Sequence, residues 1–99
     1  MNKLIITLGC AGGVSTSMLC AKIVQEGKKY DYEIECTAMS VLQIEDAIPQ
    51  SDIVLLGPQV KYLLEDLRSK YPNKLIDAID MRDYGSMNAS NIMKKYLEK

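Results

Sequence analysis

The feature that most constrains this chain is an apolar run that ends at a cysteine and is followed at once by small and hydroxyl residues. Residues 4–8 are apolar apart from one threonine, and Gly9 and Cys10 are followed by the segment AGGVSTS. Such a run is typical of a central parallel strand buried on both faces, and the glycines mark its connection to a crossover helix. The sequence therefore predicts a strand, a loop and a helix, with Cys10 at the carboxyl end of the strand.

The loop after Cys10 has the residue types of an anion-binding site. Ligands of open α/β sheets bind outside the carboxyl ends of the strands, where the next helix presents unpaired N–H groups. Glycines let successive N–H groups curl into one concavity, and hydroxyl side chains add donors and a helix cap. We therefore expect this loop to suit a dianionic phosphoryl group on the Cys10 sulfur, with donors from Gly12, Gly13, Ser15, Thr16 and Ser17.

Cys10 is the candidate nucleophile of this loop. The N–H donors favour its thiolate form, and the chain has no histidine with which to build a Cys–His pair. The alternative is that Cys10 is a small buried apolar residue, which is common for a cysteine. The order of glycines and hydroxyls favours the nucleophilic interpretation. Cys20 and Cys36 lie on apolar faces of the next helix and strand, where we expect them to be packing residues.

The composition of the chain argues against several classes of protein. Ninety-nine residues, 47% hydrophobic and 25% charged, predict a single small domain over residues 1–99. Twelve basic residues scattered among thirteen acidic ones argue against a nucleic-acid partner. Three cysteines without CxxC spacing argue against a zinc site and a disulfide scaffold, so no metal and no cofactor is expected. The first apolar run is too short for a signal peptide or a membrane span, which predicts a cytoplasmic chain without membrane insertion.

The remaining patterning predicts an α/β fold. Residues 32–38 alternate like an edge strand, residues 53–56 form a second buried run, and residues 75–79 suit the opposite edge. Apolar residues at helical spacing follow the loop after Cys10, which predicts a first helix. The same spacing predicts three more helices, over residues 41–48 behind a capping-box pattern, from Pro58 to Tyr71, and over residues 92–97. Residues 80–86 are predicted to form a loop. We expect a doubly wound, four-stranded parallel sheet of order 2-1-3-4, with helices on both faces.

Two further residues are predicted at the rim of the same crevice. Gln59 follows the third strand, and Tyr84 follows the fourth. In the predicted strand order the winding reverses beside Cys10, and both loops border that point. Each also has a plain structural explanation, because Gly57-Pro58 suits a helix start and Tyr84-Gly85 suits a turn.

The order of Cys10 with its loop, then LLGPQ at residues 55–59, then Tyr84-Gly85 resembles the lactose/cellobiose-type enzyme IIB of the bacterial sugar phosphotransferase system, nearly end to end. The resemblance implies a four-stranded parallel sheet, a fold similar to that of low-mass tyrosine phosphatases. It implies that Cys10 takes phosphate from a phosphohistidine of enzyme IIA. It also implies that the phosphoryl group is surrounded by the loop Ala11, Gly12, Gly13, Val14, Ser15, Thr16 and Ser17. Cys10 then passes the phosphoryl group to a sugar, such as a β-glucoside, cellobiose or lactose, that enters through the membrane permease enzyme IIC.

The resemblance also implies a cytoplasmic protein that acts transiently at the inner face of the membrane, through the permease. This sequence departs from the family loop at two positions. Family members commonly have methionine in place of Val14 and often serine in place of Ala11. The backbone contribution to phosphate binding is therefore expected to outweigh the side-chain contribution.

Two other classes of protein remain as alternatives. A low-mass cysteine phosphatase or arsenate reductase needs an arginine where this chain has Thr16, and phosphatases of that kind use an Asp-Pro acid that is missing here. A flavodoxin-like module that binds nucleotide or flavin is the second alternative. Residues 9–17 match neither the Walker A pattern nor GxGxxG, which favours a phosphoryl carrier and transferase over both.

Overall fold

The sheet in the computed structural model has the predicted strand order. The structure describes residues 2–11 and 15–98, without the side chains of Ser15 and Thr16. The four strands are all parallel and lie in the order β2-β1-β3-β4. Their bounds are β1 Asn2–Cys10, β2 Tyr32–Ser40, β3 Ile53–Leu56 and β4 Leu75–Ala78.

Within the described residues, five α-helices connect and cover the strands. They are α1 Ser15–Lys28, α2 Ile44–Ala47, α3 Leu64–Lys70, α4 Met81–Gly85 and α5 Ala89–Leu97, and short 3₁₀ segments span Ile48–Gln50 and Pro58–Leu63. Side chains of α1 and α5 pack with one face of the sheet, and side chains of α2 and α3 pack with the other. The sheet is therefore doubly wound, as predicted.

The central strand β3 shows why its sequence is uninterrupted and apolar. Ile53 and Leu55 belong to the core shared with α1 and α5, whereas Val54 and Leu56 belong to the core shared with α2 and α3. Alternate side chains of a strand point to opposite faces, so a strand covered on both faces needs apolar residues at every position. The predicted central position of this run is confirmed.

The segment after β2 differs from the prediction of one helix over residues 41–48. The chain turns at residues 41–43, and α2 begins at Ile44. Ser40 does not form a capping box with Gln43, because its hydroxyl oxygen accepts from the Leu42 amide at 3.2 Å. Leu42, expected on the apolar stripe, is 92% exposed as a result.

Two other predictions were wrong in detail. The helix expected from Pro58 to Tyr71 is divided: its first part is the 3₁₀ segment Pro58–Leu63, within which Val60 has a non-helical φ of −118°, and α3 begins only at Leu64. The loop expected over 80–86 contains the helix α4, whose first turn is capped by Asp80 accepting from the Arg82 amide at 3.2 Å. A carboxylate at the N-cap satisfies an otherwise unpaired N–H group, which lets so short a helix form.

Candidate functional site

Cys10 is the last residue of β1 and is fixed by both neighbouring strands. On the β2 side, the Val41 amide donates to the Cys10 carbonyl oxygen at 3.0 Å. On the β3 side, the Gly57 amide donates to the Gly9 carbonyl oxygen at 2.8 Å. The chain reverses its direction of winding between β1 and β3. Cys10 therefore lies at the topological switch point, where open α/β sheets bind ligands.

The Cys10 thiol lies at the boundary between core and surface. Cys10 is 5% exposed, whereas the next residue, Ala11, is exposed. The thiol donates a long hydrogen bond to the Met39 carbonyl oxygen, with a sulfur–oxygen distance of 3.7 Å. The sequence analysis missed Met39, although the parallel register, which sets Cys10 beside Ser40, would have indicated it.

Part of the predicted phosphate loop lies outside the described residues. These are Gly12, Gly13 and Val14, together with the side chains of Ser15 and Thr16. Of the other two residues, Ala11 forms a bend and Ser17 is exposed in the first turn of α1. The concavity around the phosphoryl group stays a prediction for these positions.

The helix that follows the loop is suited to an anion. Its first turn is STSM, with no acidic residue, and Lys28 lies in its last turn. The first turns of α2, α3 and α4 carry acidic residues, whereas that of α5, like that of α1, carries none. Backbone dipoles give a helix a partial positive charge at its N-terminus. In α1 no carboxylate of the first turn offsets this charge.

The structure brings both predicted rim residues to the same point beside Cys10. A methyl group added to Gly57 would lie 3.0 Å from Gln59 Oε1, 3.5 Å from Tyr84 Cε1 and 3.7 Å from the Gly9 carbonyl oxygen. Gln59 and Tyr84 therefore converge over Gly57, which is bonded to the residue before Cys10. Their contact with a phosphoryl group stays a prediction.

Tyr84 is held by a polar network that the sequence analysis did not identify. Its amide donates to the Asp80 carbonyl oxygen at 2.9 Å. The neighbouring carboxylate of Asp83 accepts from Asn91 Nδ2 at 2.9 and 3.0 Å, which links α4 to α5. Asp80 and Asn88 cap the two helices, and these residue types were the available signal.

A cavity of about 600 Å³ lies beside this site, between the ends of β3 and β4 and helix α5. Its lining includes the apolar side chains of Leu55, Ile79 and Ile92, together with charged residues of both signs: Lys61, Lys95, Asp80 and Asp83. Neither Cys10 nor Ala11 lines it.

Two general features of the described residues bear on the class of protein. Within residues 2–11 and 15–98, no group of three or more metal-ligating side chains is assembled. In the same part of the chain, no helix has both the length and the apolar character needed to cross a membrane.

Comparison with known proteins assigns the family. The family model described as the lactose/cellobiose-specific IIB subunit of the phosphotransferase (PTS) system matches residues 5–95. The galactose-specific EIIB component of Lactococcus lactis subsp. cremoris (strain MG1363) is 31% identical over 94% of this chain and 93% of its own length. The cellobiose-specific EIIB component of Lactococcus lactis subsp. lactis (strain IL1403) is similar to the same extent, with 31% identity over 94% of this chain and 93% of its own length.

A solved structure shows the same fold. The lactose-specific IIB domain from Streptococcus pneumoniae superposes with a TM-score of 0.82 over 98% of this chain and 97% of that one, at 18% sequence identity. The fold and the family match agree with the strand order and with Cys10 at the end of β1. This chain therefore belongs to the lactose/cellobiose-specific IIB family of the sugar phosphotransferase system, whose members are phosphotransferases that work with enzyme IIA and the membrane component enzyme IIC.

Proposed function

We propose that Cys10 carries the phosphoryl group and that residues 11–17 bind it. The observation that carries the proposal is the position of Cys10 at the switch point of the sheet, with a helix whose first turn holds no acidic residue beginning five residues later at Ser15. A phosphoryl dianion at this point meets the positive end of the α1 dipole. The family match spans the whole of this region, from residue 5 to residue 95.

The reaction proceeds in two displacements at phosphorus. First, the Cys10 thiolate attacks the phosphohistidine of enzyme IIA, so that the P–S bond forms and the P–N bond breaks, leaving the electron pair on the imidazole nitrogen. Second, a sugar hydroxyl attacks phosphocysteine; the P–O bond forms, the P–S bond breaks, and the hydroxyl proton is released. The contribution of the protein is positioning and stabilisation of charge.

The phosphocysteine intermediate is expected to persist until the acceptor sugar is present. The chain has two arginines, Arg68 and Arg82, and both are remote in sequence from the loop. Arg68 is engaged on β4, where it donates to the Ile76 carbonyl oxygen at 2.9 Å and to Asp77 at 2.7 Å. A cation that grips the transferring phosphoryl group can contribute about 10³–10⁵ in rate. With threonine at position 16 and no histidine in the chain, the loop after Cys10 itself offers neither an arginine nor a histidine base to assist attack by water.

We also propose a docking face around Cys10. Among the described residues, four large apolar side chains are more than half exposed, and each lies in the connection that follows one of the four strands: Met18, Leu42, Tyr62 and Met81. Because parallel strands share one carboxyl edge, all four connections begin at the edge of the sheet that carries Cys10. Exposed apolar side chains grouped on one face are typical of protein interaction sites.

Enzyme IIA and the permease are the proposed occupants of this face, in turn. Each must bring a reacting group to the same sulfur, so their contact surfaces overlap and binding of one excludes the other. Such contacts are expected to be modest in area, since turnover needs fast dissociation. A ternary complex of this protein with both partners would contradict the shared face.

The sugar is proposed at the level of its class. Equal identity to a galactose-specific and a cellobiose-specific relative means that overall similarity does not select between them. We propose a β-glucoside or a related disaccharide such as cellobiose or lactose. In this account residues 1–99 act as one IIB domain in the cytoplasm and reach the membrane only through the permease.

The direct test is phosphorylation by the cognate enzyme IIA, with radiolabelled phosphate traced to one residue. Wild-type protein and the Cys20→Ser variant should be labelled, because Cys20 takes no part in either displacement. Cys10→Ser should carry no label while it keeps the helical circular dichroism of the wild type. Label that survives Cys10→Ser, or that maps to another residue, would contradict the proposal.

A further inference from the structure

The two cysteines that the proposed mechanism does not use lie against each other. Cys20 is on α1 and Cys36 is on β2, and their sulfur atoms are 3.0 Å apart. The Cys36 thiol donates to Cys20 Sγ. The prediction that both are packing residues is confirmed, since Cys20 belongs to the buried cluster beneath α1 and the partly buried Cys36 packs against it. Their mutual contact adds a chemical feature that their separate positions did not predict.

The Cys20–Cys36 pair is accessible to a small molecule from one side of the protein, along β2. Cys20 is 7% exposed, whereas Cys36 is half-buried. Within the sheet that the described residues form, β2 is an edge strand with β1 as its neighbour. A small molecule therefore approaches the pair along the open edge of β2, without opening the sheet.

The third cysteine is too far along the strand to compete. Cys36 is level with Ile6 in the parallel register, and Cys10 is level with Ser40. The separation of four residues along a strand corresponds to about 13 Å. Cys10 therefore cannot form a bond with Cys36 while β1 and β2 stay paired.

We propose that Cys20 and Cys36 are an oxidation site that forms a reversible intramolecular disulfide with hydrogen peroxide. A disulfide bond is about 2.05 Å long, so the two sulfurs must approach by only about 1 Å. The proposal does not depend on the role of Cys10.

The chemistry balances with peroxide as the oxidant. The sulfur of Cys20 attacks one peroxide oxygen, the O–O bond breaks, and Cys20 sulfenic acid and hydroxide form. The sulfur of Cys36 then attacks the sulfenic sulfur, so that the S–S bond forms and the S–O bond breaks. The proton of the Cys36 thiol leaves with the departing oxygen as water. Two thiols are oxidised, and one peroxide is reduced to two waters.

The hydrogen bond decides which sulfur reacts first. Donation from Cys36 lowers the pKa of the Cys20 thiol, against an opposing effect of burial. The same hydrogen bond, with burial, raises the pKa of Cys36. Since the thiolate is the reactive form, Cys20 is the attacking sulfur and Cys36 resolves the intermediate.

The experiment uses the Cys10→Ser background, so that Cys20 and Cys36 are the remaining thiols. The protein is treated with hydrogen peroxide, denatured in N-ethylmaleimide and weighed by mass spectrometry, with and without dithiothreitol. We expect peroxide to remove both alkylatable thiols by the loss of two hydrogens, and dithiothreitol to restore both. Two thiols still alkylated after peroxide, or a disulfide between two chains on a non-reducing gel, would overturn the proposal.

Two matched variants complete the test. Cys20→Ala and Cys36→Ala, each in the chain that keeps Cys10, should form no intramolecular disulfide, and a disulfide in either variant would show that Cys10 takes part. Sequencing of the linked peptides from oxidised wild-type protein gives a readout that does not depend on the folding of these variants. Since trypsin leaves Cys10 and Cys20 in one peptide, the fragment must be sequenced through both cysteines. A bond from Cys10 would contradict the assignment.

Discussion

The Gly57 amide donates to the Gly9 carbonyl oxygen at 2.8 Å, so the end of β3 is fixed to the residue before Cys10. Both glycines are buried, but their surroundings differ. A side chain at Gly9 would overlap Ile44 Cδ1 and crowd Leu56, whereas one at Gly57 would meet mainly the flexible end of Gln59.

This difference predicts unequal effects of the same substitution. Gly9→Ala should lower the free energy of unfolding by about 1–3 kcal/mol, because it overpacks a closed core. Gly57→Ala should cost less than about 1 kcal/mol, since Gln59 can move aside. Urea unfolding followed by circular dichroism measures both, and equal losses would show that the packing around the two glycines is alike.

The rim residues should affect the rate of transfer without affecting stability. A hydrogen bond to a charged group contributes about 1.5–3 kcal/mol, so removing a donor to the phosphoryl group should slow transfer about tenfold or more. Gln59→Ala and Tyr84→Phe test each side chain while leaving the core intact. Lys61→Ala, a surface change in the same 3₁₀ segment, is the matched control. The rate of phosphorylation by enzyme IIA is measured by rapid quench for each variant. Unchanged rates would show that neither side chain donates to the phosphoryl group.

A buried hydroxyl pair holds β1 to the segment before β3. Thr7 and Ser51 are both fully buried, with their oxygens 2.6 Å apart, and the Ser51 hydroxyl also donates to the Ala47 carbonyl oxygen at 2.8 Å. Because the single hydrogen of Ser51 goes to Ala47, Thr7 is the donor within the pair.

Ser51→Ala should therefore destabilise the protein by about 1–3 kcal/mol, because it leaves the Thr7 hydroxyl buried without a partner. The double variant with Thr7→Val should lose less than the sum of the two single variants. Thermal unfolding of the wild type, the two single variants and the double variant measures the coupling free energy between the two hydroxyls. Strictly additive losses in the free energy of unfolding would show that the hydroxyl pair contributes no interaction energy.

The partly buried hydroxyl of Tyr96 leads us to expect that the folded protein loses stability at alkaline pH. Burial, and then the hydrogen bond to Asp77 at 2.7 Å, raise the pKa of its hydroxyl above the usual 10.0. Above that pH the unfolded chain loses the Tyr96 proton while the folded chain keeps it, so folding stability falls as pH rises.

Tyr96→Phe should remove part of this fall. The comparison is the change in urea stability between about pH 9 and about pH 11 for both proteins. Tyr62→Phe is the control, because that side chain is exposed. An identical fall in wild-type protein and Tyr96→Phe would contradict the assignment.

The sequence predicted the features that depend on burial and on strand ends. The uninterrupted run at β3 and the run before Cys10 predicted the two central strands, and thus the strand order, because a strand covered on both faces has no place for polar residues. The position of Cys10 followed from the same reasoning.

The features that were missed depend on local hydrogen bonds or on contacts across the fold. The Asp80 carboxylate caps α4 within a segment predicted as a loop, and the Ser40 hydroxyl accepts a hydrogen bond within the turn at Leu42. Each effect depends on one side-chain hydrogen bond, and such bonds compete with local backbone hydrogen bonds of similar energy. The Cys20–Cys36 contact depends on how α1 lies against β2, which periodicity alone does not specify.

The central claim is that this protein carries phosphate on Cys10 and does not hydrolyse it. Phosphorus NMR of the isolated phosphoprotein tests this most directly, since phosphate on sulfur is distinguished from phosphate on oxygen or nitrogen by chemical shift. The account predicts a phosphocysteine signal that persists in buffer for much longer than one turnover and disappears when permease and sugar are added together. A signal from phosphate on another atom, or a phosphocysteine signal that vanishes within seconds in buffer alone, would contradict it.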